Sequence, residues 1–106
     1  MQAFRTHTCS DLNANDVGQS VRLSGWVHRV RDHGGILFID LRDHYGMTQC
    51  VIDNKNGYFS ALEKIKLETV IRIEGEVVVR TPETVNKELA TGSVEFLIKN
   101  FNVLGS

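Results

Sequence analysis

Gly25–Asp53, GWVHRVRDHGGILFIDLRDHYGMTQCVID, reads as three short strands joined by two glycine-bearing turns. Gly34-Gly35 supplies positive-φ freedom for the first turn, and His44-Tyr45-Gly46 suits a three-residue loop for the second. Ile36–Asp43 alternates: Leu37, Ile39 and Leu41 take one face, and Ile36, Phe38, Asp40 and Arg42 the other. Successive strand side chains point to opposite faces, so Phe38 belongs with polar neighbours and not with the core leucines. An aromatic on a wet face, beside arginines and a glutamine, has the chemistry of a base-stacking platform. A lone exposed aromatic packing under a loop is the commoner arrangement, and here the neighbours favour the platform.

Working outward, Val21, Leu23 and Val27 mark a first strand, with Gly25 on their parity as a bend point. The apolar alternation decays in His28-Arg29-Val30-Arg31, so Arg29 and Arg31 are expected at a strand end and rim. The third strand, Met47–Asp53, places Gln49 and Val51 on the Phe38 face. Glutamine carries donors and an acceptor and can read a base edge. Asp11–Val17 suits a turn or short helix. Tyr58–Leu67 shows helical spacing and predicts about three turns acting as a core plug. Thr69–Arg80 is a strong strand, with Ile71, Ile73, Val77 and Val79 facing inward and Gly75 a second bend point. Thr81–Gly92 holds the only proline and reads as a long irregular loop. Val94–Leu104 is the last strand, and its parity slips near Asn100, which predicts a bulge.

Five strands with one helix between the third and fourth predict an all-β chain with one helix, a five-stranded Greek-key barrel of the OB type, as a single domain over residues 1–106. Another small antiparallel barrel or a split α+β sheet is the second architecture that fits. OB barrels bind oligonucleotides on the face of strands 2 and 3, flanked by the 1–2 and 4–5 loops. That rule gathers Phe38, Gln49, Arg31, His33 and Arg80 from separate parts of the chain.

The chain has 106 residues and a net charge of −1, enough for one modest core and short of the basic surplus of a free-standing nucleic-acid binder. A local patch assisted by a larger partner fits better. Cys9 and Cys50 form no disulfide framework, and no apolar run suits a membrane span or a signal peptide, so a reducing, cytoplasmic setting is expected. The abrupt end at Val103-Leu104-Gly105-Ser106 suggests a piece of a longer protein. Catalytic, metal and cofactor patterns are missing. His28 and His33 lack a second ligand pair, Asp40 and Asp43 look like strand-end acceptors, Gly34-Gly35 lacks the P-loop lysine, and nothing orients Cys9 as a nucleophile.

GWVHRVRDHGGILFIDLRD, followed by GMTQCVID and NKELATGSVEF, closely resembles the N-terminal anticodon-binding domain of bacterial aspartyl-tRNA synthetases, over nearly the whole chain. Lysyl- and asparaginyl-tRNA synthetases share the barrel but fit His33-Gly34-Gly35 and Ala90-Thr91-Gly92 less well. The resemblance implies a non-catalytic fragment of a class II enzyme that joins aspartate to tRNA-Asp. ATP and Mg would act in a downstream catalytic domain, and the parent would be a homodimer through regions outside this chain. It implies that Phe38 stacks on the central U of the anticodon and that Gln49 and Arg31 contact the first and middle bases. Arg80 matches a basic position opening the 4–5 loop, Glu95 a carboxylate reading the third base, and Arg29 a phosphate contact. His33 stands where relatives that also charge tRNA-Asn often carry histidine. Val51 and Val78 replace an aromatic and an arginine of some relatives, which weakens those contacts. A general single-strand-binding or protein-interaction OB module is the competing function. Such modules carry more exposed aromatics and a net basic surface.

Overall fold

Alternating β-branched and polar residues build five strands in the computed structural model, which describes residues 5–105. They are β1 (Ser20–Asp32), β2 (Ile36–Arg42), β3 (Met47–Asp53), β4 (Val70–Val79) and β5 (Val94–Gly105). The strands close into a barrel in the order β1-β2-β3-β5-β4. All pairings are antiparallel except β3 with β5. This is the five-stranded OB architecture, and the inward residues expected on β1, β2 and β3 are those that fill it. Val21, Leu23, Leu37, Ile39, Leu41 and Ile52 are all at most 2% exposed.

β1 is long because it serves two partners. It pairs with β4 up to Trp26 and with β2 from Trp26 onward. Gly25 lies at this changeover, where a Cβ would sit 2.3 Å from the Arg42 carbonyl oxygen. The glycine therefore permits strand contact as well as the bend. Gly75 is tighter still, with Leu97 O at 1.9 Å from the same position. Opposite it, Ile98 pairs with Gly75 and Asn100 with Glu74, so Lys99 is the extra residue of the bulge expected near Asn100.

A second bulge lies in β1. Val27 pairs with Leu41 but Arg29 pairs with Asp40, leaving His28 unmatched. A bulged residue re-aims the side chains beyond it. Before His28, odd-numbered residues point inward. After it, Val30 packs on the core and Arg29 and Arg31 turn out. The arginines thus sit within the paired strand and not on a frayed rim.

Three sequence expectations need correction. The helix, α1, spans only Phe59–Glu63, far short of Tyr58–Leu67. Tyr58 provides no side-chain cap, and the chain must turn at once to rejoin the sheet through Glu68, which takes φ 71°. Leu62 is still buried as a plug, with Phe59 and Ile65 packed against the core. Val79, expected inward, is 61% exposed, because β4 ends there and Arg80 folds back instead. The second hairpin uses residues 43–46, since Arg42 pairs with Met47. Asp43 organises it by accepting hydrogen bonds from the Tyr45, Gly46 and Cys9 backbone N–H groups.

The 4–5 loop is tied at both ends. The Thr91 hydroxyl donates to the Met47 carbonyl at 2.8 Å, the Thr48 hydroxyl donates to the Cys9 carbonyl at 2.7 Å, and the two hydroxyl oxygens lie 3.4 Å apart. No helix among the described residues is long and apolar enough to cross a membrane.

Cys9 and Cys50 are free, fully buried thiols. Burial, the largest cause in both cases, pushes each thiol far up from its ordinary value. A raised folded value means stability that is complete below the unfolded thiol's pKa, about 8.5, and lost as the pH rises past it. Raising the pH from 8 to 9.5 is therefore expected to lower the unfolding free energy measured in urea by up to about 1.4 kcal/mol per pH unit and thiol. The Cys9→Ala/Cys50→Ala double variant should flatten that slope, whatever its starting stability; an unchanged slope would contradict the assignment.

Candidate nucleic-acid interface

The outer wall of β1, β2 and β3 presents a compact polar cluster around one ring. In the ladders, Phe38 pairs with Arg31 and Val51, and Asp40 with Arg29 and Gln49. Phe38 is half-buried on this outer wall, outside the core cluster that includes Leu37 and Ile39. The His33 ring meets it edge-on at 5.4 Å and 83°. The Arg31 guanidinium lies 5.8 Å from its centroid, within cation–π range. His33 is held there by the turn, where Gly34 and Gly35 take φ 62° and 92° and the His33 N–H donates to the Ile36 carbonyl at 2.9 Å.

Arg31 also reaches across the sheet. Its Nη2 donates to Gln49 Oε1 at 3.0 Å and lies 3.6 Å from Asp40 Oδ1. Gln49 Nε2 in turn donates to Glu95 Oε2 on β5. Four side chains from four strand positions thus form one relay, Asp40–Arg31–Gln49–Glu95.

Arg80 closes the cluster from the 4–5 loop. It is only 7% exposed, so it is no surface cation. Its Nε donates to the Val94 carbonyl and its Nη1 to the Thr84 carbonyl, both at 3.0 Å. Its Nη2 is buried with no partner among the described residues. Buried donors without partners are costly, and this one belongs to a residue that lines an open cleft of about 370 Å³. Arg31, His33, Phe38, Gln49, Arg80 and Thr84 line it.

Five of the expected residues therefore converge on one cleft, and Glu95 joins through Gln49. Arg29 is exposed beside the cluster, opposite Asp40, and does not line the cleft. Thr84 and Asp40 were not anticipated. Pro82 opens the short 3-10 turn Pro82–Thr84 that brings Thr84 to Arg80, and proline in a first turn was the available signal. A larger hollow of about 410 Å³, lined by residues including Ser20, Glu74, Glu76 and Lys99, holds an ion pair between Lys99 and Glu76 but no aromatic. It lacks the means to stack a base. Among the described residues no His, Cys, Asp and Glu cluster could hold a metal ion.

A closed OB barrel with a ring, two guanidinium groups and a polarised amide in one outer cleft has the equipment of a nucleic-acid-binding domain. Comparison with known families agrees: the tRNA anti-codon family, described as an OB-fold nucleic acid binding domain, matches residues 21–104, and the chain belongs to that family. Among curated relatives, the Aspartate–tRNA(Asp/Asn) ligase of Chelativorans sp. is 62% identical over 98% of this chain and 18% of that protein. The protein of the same name from Pelagibacter ubique is 58% identical over 100% of this chain and 18% of its own length. The chain thus spans less than a fifth of these relatives. In fold, it is similar to asparaginyl-tRNA synthetase from Pyrococcus horikoshii, with a TM-score of 0.77 and 23% identity, over 94% of this chain and 22% of that one.

Placement on opposite faces separates the two neighbours Phe38 and Ile39. Phe38→Ala should cost less than about 1.5 kcal/mol in urea unfolding, whereas Ile39→Ala should cost about 2–5 kcal/mol. Equal losses would place Phe38 in the core and remove the platform.

Proposed function

We propose that this domain reads the anticodon loop of tRNA-Asp as the recognition module of an aspartate–tRNA ligase. The observation that carries this reading is Phe38 on the outer wall, with the Arg31–Gln49–Glu95 relay beside it. Loop nucleotides are unpaired and can be splayed, which exposes both their faces and their edges. Phe38 offers a face for the central base. Gln49 and Arg31 offer donors and an acceptor to the first and middle bases. The Glu95 carboxylate suits a cytosine amino group at the third position. Arg80 lines the cleft with a guanidinium held by main-chain carbonyls, and Arg29 offers an exposed cation for a phosphate.

The names of the curated relatives support the same reading. The aminoacylation chemistry, with its ATP and Mg, belongs to a catalytic domain of a longer, cytoplasmic, homodimeric protein. No residue here is assigned to that chemistry. Phe38→Ala should weaken binding of a GUC anticodon stem-loop more than tenfold, in line with a stacking contribution of about 1–3 kcal/mol per base. Unchanged affinity would reject stacking. A general single-strand binder, the competing function, would bind poly-U and the GUC loop alike in the same titration.

His33 extends the proposal to tRNA-Asn. It stands against Phe38 at the cleft, and the relatives at 58–62% identity carry Asp/Asn in their names. The full-length protein is expected to charge both tRNAs. His33→Leu should lower charging of tRNA-Asn more than that of tRNA-Asp, and no activity on tRNA-Asn in the parent would end this extension.

A further inference from the structure

Among the outward residues of β2, Asp40 alone is buried, with 8% of its surface exposed. A carboxylate withdrawn from water needs a cation or donors near it. Arg31 Nη2 stands 3.6 Å from its Oδ1, and the same nitrogen donates to Gln49 Oε1 at 3.0 Å. Asp40 and Gln49 are direct cross-strand partners, so carboxylate, guanidinium and amide meet at one point of the sheet.

We propose that Asp40 is a positioning residue for specificity: by holding Arg31, it sets which end of the Gln49 amide faces which neighbour, and so which base edge the cleft accepts. The proposal rests on the anticodon-reading function given above.

The chemistry of the amide makes the case. The two ends of a glutamine amide have nearly the same shape and opposite hydrogen-bonding character. Rotated by half a turn, Gln49 would set its NH₂ against a guanidinium and its oxygen against the Glu95 carboxylate. Both contacts would be repulsive. A cation at one end and an anion at the other therefore impose one orientation. That leaves one N–H and one lone pair of Gln49 in a fixed order along the cleft.

A fixed order matters because base edges differ in the order of their donors and acceptors. Guanine and uracil present a ring N–H beside a carbonyl. Adenine and cytosine present a bare ring nitrogen beside an amino group. A freely turning amide satisfies either kind, whereas a locked one satisfies one kind in a given pose. Glu95 locks one end directly. Arg31 locks the other only while it is itself held, and its Nε has no partner among the described residues. Among the described residues, Asp40 is the one charged group within ion-pair distance of its guanidinium. Stacking on Phe38 does not depend on the amide, so losing Asp40 should affect selection more than grip.

Two readouts on the 106-residue domain test this. In the absence of RNA, the Gln49 side-chain amide is followed by ¹⁵N NMR. The wild type should show one slowly exchanging proton bonded to Glu95. In Asp40→Asn, exchange should speed up about tenfold and the two proton shifts should move toward those of a free amide. Unchanged shifts and exchange would overturn the positioning role. In the second readout, a GUC anticodon stem-loop and the same loop with its U replaced by C are titrated. The wild type should prefer the former by about tenfold or more, as expected for one well-ordered pair of base contacts. Asp40→Asn should reduce that ratio to about threefold or less while still binding the C-containing loop. A uniform loss of affinity with the ratio kept would mark Asp40 as merely structural and also overturn the proposal. If the wild type does not distinguish the loops, the anticodon reading itself fails, and the NMR measurement still decides what Asp40 does. Should Asp40→Asn not fold, Asp40→Ser, which also removes the carboxylate and leaves every cleft-lining side chain in place, is held to the same two outcomes.

Discussion

The extra residue at His28 governs how this barrel meets its ligand. An ideal strand through Gly25–Asp32 would carry Arg29 and Arg31 on the parity of Leu23 and Val27, pointing into an aliphatic core. Burying two unpaired guanidinium groups there is prohibitive. By leaving His28 unmatched against β2, the chain reverses its faces between Val27 and Arg29. Val30 then takes the inward position and the arginines come to lie against Asp40 and Phe38. Without that reversal Arg31 could reach neither the ring nor Gln49, and the outer wall would hold a phenyl group with no cation beside it.

The resulting cleft is built for selection more than for attraction. Asp40 and Glu95 bring as much formal negative charge as Arg31 and Arg80 bring positive, in a chain of net charge −1. Long-range steering of a polyanion by such a surface is weak, since the affinity of nucleic-acid binders comes largely from phosphate neutralisation. What the cluster offers instead is a stacking face and directional hydrogen bonds.

Much of this could be read from the residues. The alternation over Ile36–Asp43 assigned both faces of β2, and the glycines and the parity slip near Asn100 located the bends. The parts that escaped share a physical cause. Helical spacing over Tyr58–Leu67 counted Ile65 as helix, when it packs from the following turn. Periodicity records which side chains are buried and not which backbone carries them. Val79 and Arg80 exchanged expected roles because a strand's parity ends with its ladder, and the loop that follows buries a guanidinium through main-chain carbonyls. The turn of β1 at His28 was visible only as a decay of the pattern. The three-residue spacing from Val27 to Val30 is its trace. Asp40 looked like a strand-end acceptor because its partner, Arg31, is brought to it by that same bulge.

The threonine hydroxyls that join Cys9, Met47, Thr48 and Thr91 have one more consequence. They moor the far end of the segment that begins at Arg80, while Arg80 moors the near end through Thr84 and Val94. Between these anchorages, Val85–Ala90 is mostly exposed. Chain length there is thermodynamically cheap, because closing a loop grows costlier only slowly as it lengthens. Evolution can therefore lengthen, shorten or decorate that stretch to suit a differently shaped neighbour, and the donors facing the cleft stay where they are.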